Sequence, residues 1–215
     1  MRRRRFTAVL TVLALFAVLV PLNSGQSKAA QWLPVAPTQG VEGTFPPPCS
    51  PSPCTKAQWL TYDGSHNSVQ GIWSKDPGGG YNGGFAAHPR AGVTPYNYNT
   101  QTWMRYGPFS LAGATTARMF FWYWMKTEPG YDVFSFAYSC TVEGTGTLAL
   151  PVAFIGKIVS GDGAGPAPAW FRENLSLQAC AGKTKVWVQF TFTSDQSVNY
   201  EGVYVDNVVI QKYVP

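Results

Sequence analysis

The sequence predicts an all-β chain, folded as an antiparallel two-sheet jelly-roll sandwich. The first observation is the stretch from Val186 to Ile210, where VWVQFTFT and VYVDNVVI flank the polar SDQSVNYEG. Segments so rich in Val, Phe, Trp and Tyr need a sheet to pack into. The second is that no segment beyond the N-terminal leader has helical periodicity. The third is a series of strand-like runs divided by Gly, Pro, Asp and Ser turns without strand–helix alternation, the pattern of two facing sheets. An immunoglobulin-like sandwich is the alternative, but the long early loops favour the larger jelly roll.

Arg2 to Arg5 precede an apolar run from Ala8 to Leu22, and Ser27 and Ala29 suit a small-residue cleavage site. Residues 1–29 therefore read as a secretory signal peptide, because the run is shorter than a spanning helix needs. Arg3, Arg4 and Phe6 also allow a twin-arginine route, and an uncleaved anchor is the rival reading. Residues 30–40 read as a linker and residues 41–215 as one jelly-roll domain. From Gln58 to Thr102 the chain is punctuated by DPGGGYNGG and AHPRAGVTP, which predicts long loops. Strands are expected over 105–111, 116–126, 131–139, 148–159, 185–193 and 203–213. No repeat suggests a propeller or solenoid.

The formal charge of +5 comes from the leader, since Arg2 to Arg5 and Lys28 supply five of the 16 basic residues and the rest match the 11 acids. A neutral mature chain without a basic block excludes electrostatic binding to nucleic acid or to an anionic membrane. The four cysteines, Cys49, Cys54, Cys140 and Cys180, all follow the leader, and an even count in an oxidising compartment predicts two disulfides. Three pairings are open. The short spacing favours Cys49 with Cys54 around SPSP, leaving Cys140 for Cys180.

Asp206 stands in an apolar strand, where simple alternation places it with Tyr204, Val208 and Ile210. A carboxylate on such a face must be hydrogen-bonded, paired or metal-bound. Rings occupy both faces of Phe120 to Trp124, with Phe121 and Tyr123 on one and Phe120, Trp122 and Trp124 on the other. One set fills the core; the other is offered for stacking on sugars or for docking a protein. Trp73, Tyr81, Tyr96 and Tyr98 are loop rings of the same kind, so the candidate ligand-binding residues are Trp73, Tyr96, Trp122 and Trp124.

Val41-Glu42-Gly43 before FPPPC, the QTWMRYGPFSL segment, ARMFFWYWMKTEPGYDVFSFAYS and SDQSVNYEGVYVDNVVI occur in an order that resembles the MAM-like, concanavalin-type jelly-roll modules at the C-terminal ends of immune inhibitor A-type bacterial metalloproteases. The resemblance covers about Val41 to Lys212. It implies a structural calcium held by Glu42 and Asp206, with Asp132 a third candidate and Asp63 and Glu201 behind it. Calcium takes six to eight hard oxygen ligands and would pin the first segment to the last strand.

Catalytic signatures are missing: there is no HExxH and no GxSxG, and His66 and His88 sit in loop sequence. Asp132, Glu143, Glu173 and Glu201 offer carboxylates without a glycosidase spacing. The resemblance implies a bacterial source, in which the Asn174-Leu175-Ser176 acceptor pattern reads as unused. The sequence thus points to a secreted, noncatalytic binding or adhesion module for a glycan or a cell-surface protein. Interaction within a secreted assembly and a small secreted hydrolase are the alternatives.

Overall fold

The computed structural model describes residues 30–36, 45, 57–64, 73–77, 79–89, 94–140, 155–161 and 169–215. Among the described residues eleven strands form two antiparallel sheets, the architecture expected from the sequence. The strands are β1 (Gln31–Pro34), β2 (Gln58–Asp63), β3 (Ser74–Pro77), β4 (Phe85–His88), β5 (Gln101–Phe109), β6 (Thr116–Lys126), β7 (Val133–Ser139), β8 (Ile155–Ser160), β9 (Phe171–Ser176), β10 (Val186–Thr193) and β11 (Gly202–Val214). One sheet runs β3-β4-β11-β6-β9, with β1 also pairing with β11; the other runs β2-β5-β10-β7-β8. Among the described residues no helix is long and apolar enough to cross a membrane.

Each central strand shows why its sequence belongs there. Along β6, Ala117, Met119, Phe121, Tyr123 and Met125 are buried while the intervening residues are half-buried, the period-two signature of a strand with one face on the core. Phe134, Phe136, Val188, Phe190 and Phe192 project from the facing sheet. Phe121 meets Phe136 and Phe190 edge-on, at centroid distances of 4.9 and 4.8 Å. Such T-shaped pairs add about 0.5–1.5 kcal/mol each to the area they bury. On β5, Gly107 adopts φ 147°, and a Cβ there would lie 2.6 Å from the Trp187 ring, so glycine is required where the strand irregularity passes its neighbour.

Several segments depart from expectation. Gln31–Pro34, placed by the sequence in a linker, forms β1 in register with Gln211–Val214. The region read as long loops contains β2, β3 and β4, and β9 was not anticipated. All are short or polar; β1, β2, β4 and β9 gain their order by pairing with long strands, and β3 by pairing with β4. Cys140 and Cys180 form a disulfide joining the end of β7 to the turn after β9. Cys49, Cys54 and the 1–29 segment lie outside the described residues.

The largest departure is at Asp206. The β11–β6 register runs Asp206↔Trp122 and then Val209↔Phe120, so one extra residue enters β11. Asn207 takes φ 51°, the left-handed conformation that Asn tolerates, and forms a β-bulge. The bulge inverts the alternation. Val203, Val205, Val208 and Ile210 all join the core, whereas Tyr204 and Asp206 turn to the outer face, opposite the side the sequence assigns them.

Candidate functional site

The outer face of the six-stranded sheet carries the rings that β6 does not give to the core. Trp124 and Trp122 stand in register with Tyr204 and Asp206, and Trp122 with Arg172 on β9. The glycine-rich segment between β3 and β4 folds over this face. Its Tyr81 stacks on Trp122 at 3.7 Å and 14°, and meets Trp170 edge-on at 5.8 Å. The Tyr81 backbone N–H donates to Asp206 Oδ2 at 3.0 Å, and the Asn207 N–H donates to Asp206 Oδ1 at 2.6 Å. Asp206 therefore ties the loop to the bulge.

Beside this fastening a groove of about 380 Å³ opens, lined by Asp76, Pro77, Gly79, Gly80, Trp124, Trp170, Glu201 and Tyr204. Its size falls within the ~300–1,000 Å³ of small-ligand sites. The Trp124 and Tyr204 rings meet edge-on at 5.4 Å, and the Tyr204 hydroxyl lies 3.4 Å from Glu201 Oε1. A Cβ on Gly79 would sit 2.8 Å from the Tyr204 ring, so the loop approaches this closely only as glycine. Burial raises the Tyr204 phenol above its usual range, and the charges of Glu201 and Asp76 push it further up. Rings flanked by hydrogen-bonding carboxylates suit the apolar faces and hydroxyl edges of a sugar.

At the Phe120 end, side chains cover the same face: Arg118 lies 3.9 Å over Trp32 and 4.6 Å from Phe120, and Arg172 lies 4.7 Å from Phe120. On the five-stranded sheet, Arg105 is buried, hydrogen-bonded to Gln189 at 3.0 and 2.8 Å and stacked 4.4 Å from Trp103, which Tyr62 covers in turn at 5.2 Å. Desolvation pulls the Arg105 guanidinium down to about 10.

The candidate ligand-binding residues divide. Trp124 lines the groove and Trp122 lies beneath Tyr81. Trp73 and Tyr96 are fully buried, a correction to their reading as exposed loop rings. Trp73 packs on Phe134 in the core, and the Tyr96 ring meets Phe192 edge-on. Trp170 and Asp76 were not anticipated as ligand residues: Trp170 is a lone ring after a Gly-Pro-Ala run, and Asp76 reads as turn chemistry in DPGGG. The density of glycine around Tyr81 was the available signal.

Asp132 belongs to a different constellation. It is fully buried at the start of β7 and accepts hydrogen bonds from the Tyr96 hydroxyl at Oδ2 and from the Asp195 N–H, 2.9 Å away, at Oδ1. Glu128, Asp132 and Asp195 each place a carboxylate oxygen within 4.8 Å of the others. Ser197 Oγ bridges the cluster, 2.8 Å from Glu128 Oε2 and 2.7 Å from Asp195 Oδ1. Burial raises the Asp132 carboxyl, and Tyr96 is raised by burial and then by its bond to Asp132. Three hard carboxylates gathered this closely form a donor set that fits a divalent cation of the calcium type. Asp206 stands apart from this cluster, and Glu42 lies outside the described residues.

No family model matches the chain, and no curated protein matches it. Among solved structures, the fold is similar to the K1 cleaved adhesin domain of Lys-gingipain from Porphyromonas gingivalis W83, with 15% identity, 84% of this chain and 97% of that chain covered, and a TM-score of 0.53. The K3 domain of the same protein shows 15% identity, coverage of 84% and 99%, and a TM-score of 0.51. TmCBM61, in complex with beta-1,4-galactotriose, is more distant at 10% identity, 84% and 99% coverage and a TM-score of 0.47. At such identities the likeness speaks for the fold alone.

Proposed function

We propose that the chain is an exported, noncatalytic glycan-binding module whose ligand lies in the groove between β3, β6 and β11. The observation that carries this is the convergence of Trp124, Trp170 and Tyr204 with Asp76 and Glu201 on one open groove. Rings there offer stacking area at low entropic cost, and the carboxylates accept hydrogen bonds from sugar hydroxyls. The adhesin domains that share the fold lend surface attachment to the same reading.

The Glu128–Asp132–Asp195 cluster is proposed as a calcium site that stabilises the fold. Neutralising three adjacent carboxylates holds the start of β7 against the segment after β10. The ion takes no part in ligand chemistry, because the groove is built from other residues.

The experiment is titration of the mature chain with soluble oligosaccharides, followed by Trp fluorescence and calorimetry, with product analysis of each mixture. Saturable binding without bond cleavage supports the proposal. Turnover lost in Asp76→Asn and Glu201→Gln favours a hydrolase instead, and flat titrations across a broad panel contradict both.

A further inference from the structure

We infer that Tyr81 caps a second sugar subsite on Trp122, so that the module selects glycan chains of several units over single sugars; this rests on the glycan reading above. Trp122 and Trp124 are two residues apart on the outer face of β6, about 7 Å along the strand. One pyranose ring cannot cover both indoles, but successive rings of a chain running along β6 can. Trp124 opens onto the groove, whereas Trp122 lies under the Tyr81 ring, parallel to within 14° and 3.7 Å away. That is the place a sugar face would take on an indole. Trp170 joins the two positions, since it lines the groove and meets Tyr81 edge-on at 5.8 Å.

The cap is built to lift. Apart from its ring contacts, Tyr81 is tied to the sheet by its N–H bond to Asp206 Oδ2. The chain leaves it through Gly83 and Gly84 at φ 84° and 86°, left-handed conformations that glycine accepts freely, and nothing lies within 4 Å of a Cβ placed on Gly83. A glycan that needs Trp122 bare binds with an affinity reduced by the fraction of molecules whose cap is open. A ligand confined to the groove escapes that reduction.

The test is calorimetry of the mature chain with β-1,4-linked disaccharides and hexasaccharides of glucose, galactose, mannose and N-acetylglucosamine, in wild type and Tyr81→Ala. The variant should raise the ratio of hexasaccharide to disaccharide affinity at least about fivefold, as removal of a mostly closed cap predicts. Adding Trp122→Ala should abolish that gain. In the wild type, which needs no variant, saturating hexasaccharide should accelerate hydrogen exchange at the Tyr81 amide, and saturating disaccharide should not. A ratio left unchanged or lowered by Tyr81→Ala, or a Tyr81 amide that stays protected under the hexasaccharide, overturns this inference and leaves the glycan reading standing. Absence of binding to every oligomer overturns both.

Discussion

Asp206 Oδ2 accepts the backbone N–H of Tyr81 at 3.0 Å, so a carboxylate on the last strand holds a glycine-rich loop against the outer sheet face. The bond exists because Asn207 turns the strand through a bulge just beyond it. Replacing Asp206 by Ala leaves the Tyr81 and Asn207 amides to find other partners, at a cost of about 1–3 kcal/mol. Hydrogen exchange at Tyr81 should accelerate in the variant while the β10 amides stay protected. Equal protection of Tyr81 in both proteins would show that the loop is held by the ring stack alone.

The placement of Asp206 also marks where sequence reading stops. Strands β6, β10 and β11 were legible almost to the residue, because their Val, Phe, Trp and Tyr content leaves no other packing solution. Strict alternation then put Asp206 beside Val208 and Ile210, since nothing in a two-residue period anticipates the left-handed φ of Asn207. β1, β2, β3, β4 and β9 were missed because QWLP, QWLTYD, SKDP, FAAH and FRENLS are short or mixed, and become strands only through their neighbours. The groove was half legible. Trp124 came from the aromatic strand, but its convergence with Trp170 and Asp76 depends on the β3–β4 loop folding over the sheet.

The acid cluster predicts a calcium response. With the ion at about a hundredfold above its dissociation constant, stabilisation of about 2.7 kcal/mol follows from binding to the folded state alone. Thermal unfolding in calcium and in EDTA should differ in the wild type and coincide in Asp195→Asn. Coincident wild-type curves would count against a cation at Glu128, Asp132 and Asp195.

Alkaline titration reads the buried phenols. Tyr96, Tyr106 and Tyr204 are all raised above the ordinary 10.0, chiefly by burial. The folded protein holds these protons more tightly than the unfolded chain does. Their contribution to stability is therefore complete below pH 10 and is lost as pH climbs towards the raised values. Phenolate absorbance should rise in two stages, with the buried tyrosines ionising only as the sheet signal in circular dichroism collapses. A single stage before unfolding would place these hydroxyls in solvent.

The Cys140–Cys180 disulfide spans a sequence separation of 40 residues, for which chain-entropy arguments give about 4 kcal/mol. The Cys140→Ser, Cys180→Ser double variant should lose up to that amount in denaturant unfolding, with the far-ultraviolet spectrum of the native state retained. A shift within experimental error would mean that the unfolded chain is already restricted there.

The groove is tested by calorimetric titration of wild type and Trp170→Ala with the tightest-binding oligosaccharide. Removing that wall while leaving the core untouched should weaken binding by about tenfold or more, with the melting temperature within a few degrees of wild type. Unchanged affinity in Trp170→Ala, repeated in Trp124→Ala, would move the glycan site away from this face.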